Sequence, residues 1–157
     1  ILLARDDFGI EADVTSDCAP LWKAVQNVLT AAPDTHVIRD ATRGGVGTVL
    51  YEIAGQSSVG FSLEAEKIPV DPGVRGVCGM LGLEPLYLAC EGRLVIIAPP
   101  EKKDCILETL RTSPYTEGAA CIGTVTNDHP GRVVINTEIG AQTILPQPGN
   151  ELLPRIC

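Results

Sequence analysis

The sequence predicts an α+β domain in which helices pack against a mixed or antiparallel sheet, followed by an extended C-terminal tail. Three observations favour this fold class. Apolar residues recur at helical spacing in four segments, short alternating segments typical of strands lie between them, and three more strand-like segments follow one another near the C-terminus. Aromatic residues make up 4% of the chain, so the core must be built mainly from valine, isoleucine, leucine and alanine.

The four predicted helices are defined by capping residues, prolines and glycines. The first lies within residues 16–33, where Ser16 and Asp17 are capping candidates and Pro20 stands early enough to be tolerated in a helix. A second begins near Gly44 and carries an apolar face. The other two run from Pro72 to Gly82 and from Glu101 to Arg111.

The strand-like segments are short and are bounded by turn residues. Residues 85–100 carry either one strand or two strands joined at Glu91 and Gly92. Residues 126–132 predict a hairpin-type connection. The remaining strands are predicted within residues 35–40, 59–66, 120–127, 132–138 and 141–145.

Charge and hydropathy argue against two classes of partner. The formal net charge of −8 is unfavourable for a nucleic-acid surface and for an anionic membrane surface, because both attract clustered Lys and Arg. No apolar run approaches the roughly 18 residues that a membrane span needs. The N-terminus shows no signal-peptide pattern, so we expect a cytoplasmic protein.

Six cysteines raise the question of disulfides or a metal site. No CxxC pair and no Cys/His pair has the spacing of metal ligands, so no metal site is predicted. Cys78, Cys90, Cys105 and Cys121 fall inside patterns of regular structure, and we interpret them as small buried side chains in a reducing cytosol. Cys157, the last residue, is the exception.

The chain starts with Ile1 rather than Met, and "ILLAR" is typical of the last turn of a helix. We therefore expect a C-terminal fragment of a longer protein. Residues 1–15 would be a remnant or linker and residues 16–145 the α+β domain. Residues 146–157, with three prolines and no periodicity, would form an extended, flexible tail.

The stretch "RDATRGGVGT" is the first candidate site. A strand that ends at Asp40 is followed by Thr42, Arg43, Gly44 and Gly45 and then by a helix. This order brings backbone N–H groups, the positive end of a helix dipole and a guanidinium to one point, and it predicts an anion or phosphate site. The glycine spacing fits neither common nucleotide-binding loop. A capped helix whose glycines allow tight packing is therefore the alternative.

Glu91 is the second candidate, as a general base. It precedes Gly92 at a bend between apolar runs, and apolar flanks raise the pKa of a carboxyl group by desolvation. The alternative is a solvated glutamate at the edge of a strand.

Cys157 is the third candidate. The twelve residues from Pro146 onwards could extend about 40 Å, so the thiol could reach a site on another domain or subunit. A free thiol has a pKa of about 8.5, which the terminal carboxylate should raise and Arg155 should lower. The tail thus predicts an acceptor for an activated donor, and a disordered end is the alternative.

The motifs "RDATRGGV", "LGLEPLY" and the terminal "LPRIC" together resemble the HypE family of hydrogenase maturation proteins. That family lies within the superfamily of aminoimidazole ribonucleotide synthetase and selenophosphate synthetase. The resemblance covers essentially the whole chain, is to the C-terminal half of the family, and implies the fold of the superfamily's C-terminal domain. The terminal motif, in which Pro154 and Arg155 support the cysteine, is the most specific because the superfamily's other members lack it.

The resemblance implies a carrier mechanism. Cys157 accepts a carbamoyl group from a HypF-type carbamoyltransferase, ATP phosphorylates the amide oxygen, and loss of phosphate leaves a thiocyanate. A HypC–HypD complex then passes the cyanide to the iron of a NiFe hydrogenase. Glu91 would be the base that takes the N–H protons.

The resemblance also implies that ATP and Mg²⁺ are bound mainly by an N-terminal half that this sequence lacks. The chain alone should therefore be inactive, and a homodimer would be made largely by the other half. Two positions depart from the family pattern: Cys90 stands where many members have Asn, and Ala41 replaces a common Pro. Two other functions stay open, namely a non-catalytic binding or dimerisation module whose tail is a docking peptide, and half of an ATP enzyme like selenophosphate synthetase.

Overall fold

The computed structural model describes residues 14–147, and these form the predicted α+β domain. Residues 1–13 and 148–157, which include most of the predicted remnant and tail, lie outside the described residues. No helix within residues 14–147 is long and apolar enough to cross a membrane. The helices are α1 (Trp22–Ala31), α2 (Gly45–Ser57), α3 (Pro72–Leu81) and α4 (Lys103–Arg111). The strands are β1 (Val37–Asp40), β2 (Gly60–Glu64), β3 (Leu94–Ile97), β4 (Gly123–Thr126), β5 (Val133–Asn136) and β6 (Gln142–Ile144).

The strands form two separate sheets. β1 pairs antiparallel with β3, from Val37 opposite Ile97 to Asp40 opposite Leu94. The second sheet has the order β4–β2–β5–β6. In it, β2 is antiparallel to β4 and parallel to β5, and β6 is antiparallel to β5.

Only the second half of residues 85–100 is a strand, so the single-strand alternative is correct. The first half forms a 3₁₀ turn at Pro85–Tyr87. The side chain of Glu84 accepts a hydrogen bond from the N–H of Leu86 at 3.2 Å, and the N–H of Tyr87 donates to the carbonyl of Glu84 at 3.0 Å. These local bonds curl the backbone and keep it out of a ladder.

The connection between β4 and β5 is not the predicted hairpin, because β2 lies between these two strands. Residues 127–132 instead cross the start of β2. A Cβ atom on Gly60 would lie 1.9 Å from the carbonyl oxygen of Asp128, so the crossing requires a glycine there. The N–H of Gly131 donates to the carbonyl of Val59 at 2.8 Å. The hairpin prediction was wrong because turn residues specify a change of direction and not a pairing partner.

α1 begins at Trp22, later than predicted, and neither Ser16 nor Asp17 caps it. The hydroxyl of Ser16 accepts from the N–H of Cys18 at 3.3 Å, in a local turn ahead of the helix. Pro20 disfavours helical backbone in the residue before it, so the helix cannot easily extend back to the expected caps.

α3 begins and ends where its cap residues predict. The carboxylate of Asp71 accepts from the N–H groups of Gly73 at 2.8 Å and Val74 at 3.3 Å, and Pro72 occupies the first turn. Gly82 ends the helix with φ of +66°. Here each boundary is set by residues within the segment itself.

Two apolar clusters hold these elements together. In the first, α2 packs on the four-stranded sheet around Leu63 and Val133, whose side chains are almost fully buried. In the second, α1 packs against α4 around Val28 and Leu110, next to partly buried residues of the two-stranded sheet. Val95 of β3 belongs to the first cluster, so the small sheet contacts both.

The prediction that four of the cysteines are buried is correct only in part. Cys78 is buried and Cys90 is half-buried, whereas Cys105 and Cys121 are exposed, which corrects the prediction for those two. α4 is amphipathic, and Ile106 and Leu110 rather than Cys105 form its buried face. Cys121 is exposed just ahead of the edge strand β4. Within residues 14–147, every cysteine is a free thiol.

We expect Leu63→Ala to lower the free energy of unfolding by about 2–5 kcal/mol, because it removes a fully buried side chain from the larger cluster. Urea denaturation followed by circular dichroism measures the change. Ile139→Ala is the matched control, since Ile139 is 91% exposed, and it should change stability by no more than about 0.5 kcal/mol. Equal losses in the two variants would contradict this assignment of the core.

Candidate functional site at the end of the two-stranded sheet

Two of the three predicted site segments meet at one end of the β1–β3 sheet. Beyond the last pair of the ladder, the N–H of Ala41 donates to the carbonyl of Arg93 at 3.1 Å. The N–H of Cys90 then donates to the carbonyl of Ala41 at 3.0 Å. These two bonds hold residues 40–45 beside residues 90–93, and we call these two segments the paired turns.

The glycines of the first turn serve close packing as well as the turn itself. Gly44 and Gly45 both have left-handed backbone, with φ of +73° and +62°. A Cβ atom on Gly45 would lie 2.4 Å from the carbonyl oxygen of Leu88 and 2.5 Å from that of Leu86. The tight-packing alternative therefore describes Gly45. This packing is compatible with an anion site, because it also fixes the start of α2, where an anion would bind.

The polar side chains of this turn differ in their partners. The hydroxyl of Thr42 donates to Oδ2 of Asp40 at 3.0 Å. Arg39, in the preceding strand, forms an ion pair with Glu52 at 2.8 Å. Arg43 is exposed and makes no ion pair within residues 14–147. Its guanidinium is therefore the cation in this turn that is open to an anionic ligand.

Glu91 occupies the tip of the second turn, and its side chain is exposed. The apolar neighbours that the sequence suggested do not cover it in the described part of the chain. The structure thus places the predicted base beside the predicted phosphate turn, at the surface of this domain.

A segment that sequence reasoning assigned to helix capping packs against the Glu91 turn instead. A Cβ atom on Gly92 would lie 1.6 Å from the carbonyl oxygen of Asp17, so the backbone ahead of α1 lies directly on this turn. The sequence did not reveal this contact, because a polar residue such as Asp17 suits both a helix cap and a turn.

Cys90 is a protonated thiol at neutral pH. Burial, first of all, and the carboxylate of Asp17 together raise its pKa to about 11, although the guanidinium of Arg93 opposes them in part. Its Sγ donates to the carbonyl of Leu88 at 3.2 Å. A thiol held in this form helps to fix the turn and is a poor nucleophile.

The remaining predicted residues, Cys157, Pro154 and Arg155, lie outside the described residues. Within residues 14–147, no group of three or more His, Cys, Asp or Glu side chains is arranged to hold a metal ion. An open cavity of about 370 Å³, lined by Glu64, Asn136 and Glu138 among others, belongs to the four-stranded sheet and not to the paired turns. We give more weight to the paired turns, since they combine a cation, a carboxylate and a helix start.

Comparison with known proteins identifies the family. Residues 2–136 match the C-terminal domain of AIR synthase related proteins. The chain belongs to this family. Among curated relatives of this AIR synthase related chain, "Carbamoyl dehydratase HypE" of Azotobacter vinelandii is 43% identical over 157 residues, and that of Rhodobacter capsulatus is 41% identical. Each match covers 100% of this chain and 46% of the relative, so the chain spans about half the length of the curated relatives it matches.

Solved structures of HypE proteins have the same fold as this chain. A crystal structure of the hydrogenase maturation protein HypE superposes with a TM-score of 0.91 at 42% identity, covering 99% of this chain and 50% of that one. HypE in complex with ATP gives 0.87 at 42% identity, with 95% and 46% coverage. A HypE–HypF complex gives 0.87 at 35% identity, with 94% and 48% coverage. The predicted resemblance to the C-terminal half of HypE and the predicted fold class are both confirmed.

The raised pKa of Cys90 can be tested by alkylation. Because iodoacetamide reacts with thiolate, the labelling rate of Cys90 in the native protein should rise about tenfold per pH unit from pH 8 to pH 10 and level off only near pH 11. Peptide mass spectrometry measures the rate. In urea the plateau should move down towards pH 9, and in the native Asp17→Asn variant it should also fall, because the carboxylate raises this pKa. A native plateau near pH 9 would refute the assignment.

Proposed function

We propose that this chain is the C-terminal, carrier half of an ATP-dependent carbamoyl dehydratase that acts in the maturation of NiFe hydrogenase. One observation carries the proposal: backbone hydrogen bonds join the turn that bears Glu91 to the turn that bears Arg43 and leads into α2. Similarity to HypE along the whole chain supports the same function.

The proposed chemistry makes the oxygen of an amide a good leaving group. The thiol of Cys157 carries a carbamoyl group, –S–C(=O)–NH₂. The γ-phosphoryl group of ATP moves to the amide oxygen as one N–H proton is lost, and ADP departs. Breaking of the C–O bond then releases phosphate, the second N–H proton leaves, and –S–C≡N remains. Each proton needs a base, and Glu91 would serve as that base.

The first of the paired turns would hold the phosphoryl group. An anion at the start of α2 meets the positive end of a 13-residue helix, and the guanidinium of Arg43 is open to it. Asp40 and Thr42, which bond each other, fix the turn on the side of the strand. Gly44 and Gly45 supply the left-handed backbone that the turn requires.

The remaining parts of the proposed machinery would lie largely in the half of the relatives' length that this chain does not span. We propose that residues 1–15 lead from an ATP-binding half that holds ATP and Mg²⁺, that residues 16–145 are the domain described above, and that residues 146–157 carry the acceptor thiol, with Pro154 and Arg155 next to it. A HypE relative crystallised with ATP supports nucleotide binding in the complete protein. A HypE relative in complex with HypF supports a carbamoyltransferase partner. A HypC–HypD acceptor complex, a homodimer and a cytoplasmic location complete the proposal, and the isolated chain would be inactive.

The carrier role is tested first in the complete protein. Cys157→Ala should keep its fold but should not gain the mass of a carbamoyl group, about 43 Da (one HNCO), when it is incubated with a HypF-type transferase, carbamoyl phosphate and ATP. The reason is that the acceptor sulfur is absent. Mass spectrometry reads the adduct. Cys105→Ala, which removes an exposed thiol elsewhere, is the control and should be carbamoylated normally. A normal adduct on Cys157→Ala would overturn the carrier role, and full activity after alkylation of Cys157 would favour a docking tail instead.

The base is tested separately. Glu91→Gln should accept the carbamoyl group but convert it to thiocyanate about 10²–10⁴-fold more slowly, because an amide cannot take the N–H protons. Single-turnover mass spectrometry follows the loss of 18 Da (one water, about) from the carbamoylated protein. Glu101→Gln, an exposed glutamate outside the paired turns, should convert at the normal rate. Normal conversion by Glu91→Gln would remove Glu91 from this role.

A further inference from the structure

Two tyrosine hydroxyls hold consecutive carbonyl groups where the described chain ends. Tyr51, on α2, donates to the carbonyl of Leu145. Tyr87, in the 3₁₀ turn, donates to the carbonyl of Pro146. The two donors come from different elements and from positions 94 and 59 residues away in the sequence. Together they fix the backbone from which residues 147–157 continue.

Leu145 is fixed by two further contacts. Its side chain is 2% exposed and belongs to the larger apolar cluster, and its N–H donates to the carbonyl of Val133 at 2.9 Å. Side chain, N–H and carbonyl of this residue are therefore all engaged. The strand just before it, β6, is an edge strand of three exposed residues, so without these contacts the chain end would fray readily.

Tyr87 also joins this anchor to the paired turns. A Cβ atom on Gly47 would lie 2.5 Å from Cε1 of Tyr87, so the ring lies against the first turns of α2. The carbonyls of Leu86 and Leu88, on either side of Tyr87, pack on Gly45 in the same way. One side chain thus contacts both the start of α2 and the residue from which the C-terminal segment departs.

We propose that Tyr87, assisted by Tyr51, is a positioning residue for the thiol of Cys157: it anchors the chain at Pro146 against the start of α2 and so sets how far the thiol is tethered from the paired turns. This inference rests on the proposed function. Eleven residues, 147–157, separate the anchor from the end of the chain and limit its reach to about 40 Å.

The size of the effect follows from the length of the tether. If the anchor is lost and β6 frays, the connection lengthens from residues 147–157 to residues 137–157. Effective concentration falls roughly as the −3/2 power of length, which corresponds to about a two- to threefold loss. Removal of both hydroxyls should therefore slow the conversion of the carbamoyl group on Cys157 by this factor, while the paired turns stay intact.

The test uses the complete protein with Tyr87→Phe, Tyr51→Phe and the matched control Tyr115→Phe, which alters the third tyrosine of the chain, 59% exposed. Hydrogen–deuterium exchange of peptides spanning 133–147 tests the anchor without reference to activity. Exchange should rise in Tyr87→Phe and Tyr51→Phe and stay unchanged in Tyr115→Phe. Unchanged exchange in Tyr87→Phe would overturn the inference.

The second measurement is the single-turnover conversion of the carbamoyl group on Cys157. Tyr87→Phe should convert more slowly, by up to the two- to threefold expected for loss of the whole anchor, with the half-saturating ATP concentration unchanged. A synthetic peptide of residues 147–157 with an S-carbamoyl cysteine, offered to Cys157→Ala protein, should react equally well with and without Tyr87→Phe, because no tether is involved. A normal rate on the tethered thiol, or an equal fall with the free peptide, would overturn the positioning role. Absence of thiocyanate from the unmutated protein would instead refute the proposed function.

Discussion

The site depends on two backbone hydrogen bonds that lie just past the β1–β3 ladder. Through them Ala41 binds both Arg93 and Cys90, and two surface turns that are about 50 residues apart in sequence become one structure. Ala41 is buried, but its side chain is a single methyl group that contributes little apolar area to hold the turns in place. The backbone bonds, together with the glycines that let α2 approach residues 86–88, therefore fix the relative position of the backbone segments that bear Glu91 and Arg43.

Under the proposed function, exposure of the charged groups would leave this half incomplete by itself. Arg43 and Glu91 are open to water in the described chain, where a high dielectric constant weakens their action on a reacting group. Phosphoryl transfer and proton abstraction from an amide both benefit from a site that excludes water. Within the proposed function, a second half of the protein would cover the paired turns and supply that exclusion, while this half supplies the scaffold and the anchored thiol.

The sequence predicted those elements whose signals are local. Pro72 and Gly82 bounded α3 correctly, because a helix boundary of this kind is decided by residues within one or two turns. The glycine turn and the start of α2 were predicted for the same reason. Residues whose position depends on distant partners were misjudged. Asp17 was taken as a cap and packs on Gly92, and residues 126–132 were taken as a hairpin although β2 lies between the two strands they connect.

For the candidate site, the sequence likewise indicated which residues to consider but not how they are arranged in space. The residues in "RDATRGGV" and Glu91 were singled out one segment at a time, and nothing in either segment shows that they share the end of a sheet. Tyr51 and Tyr87 were missed as anchors, because a tyrosine in an apolar stretch also suits a core and its acceptor lies far away in the sequence. Cys105 was misjudged because Ile106 and Leu110 form the buried face of α4, whereas the exposed thiol of Cys105 reaches the carbonyl of Ala31 at the end of α1, at 3.9 Å.

The contact between Gly92 and the carbonyl of Asp17 restricts how this surface can vary. The Cβ atom of any other amino acid would clash with that oxygen. Position 92 therefore tolerates only glycine unless the segment ahead of α1 moves outward at the same time. Protein engineers who redesign the loop bearing Glu91 must therefore treat residues 14–21 and 90–93 as a single unit and diversify them jointly.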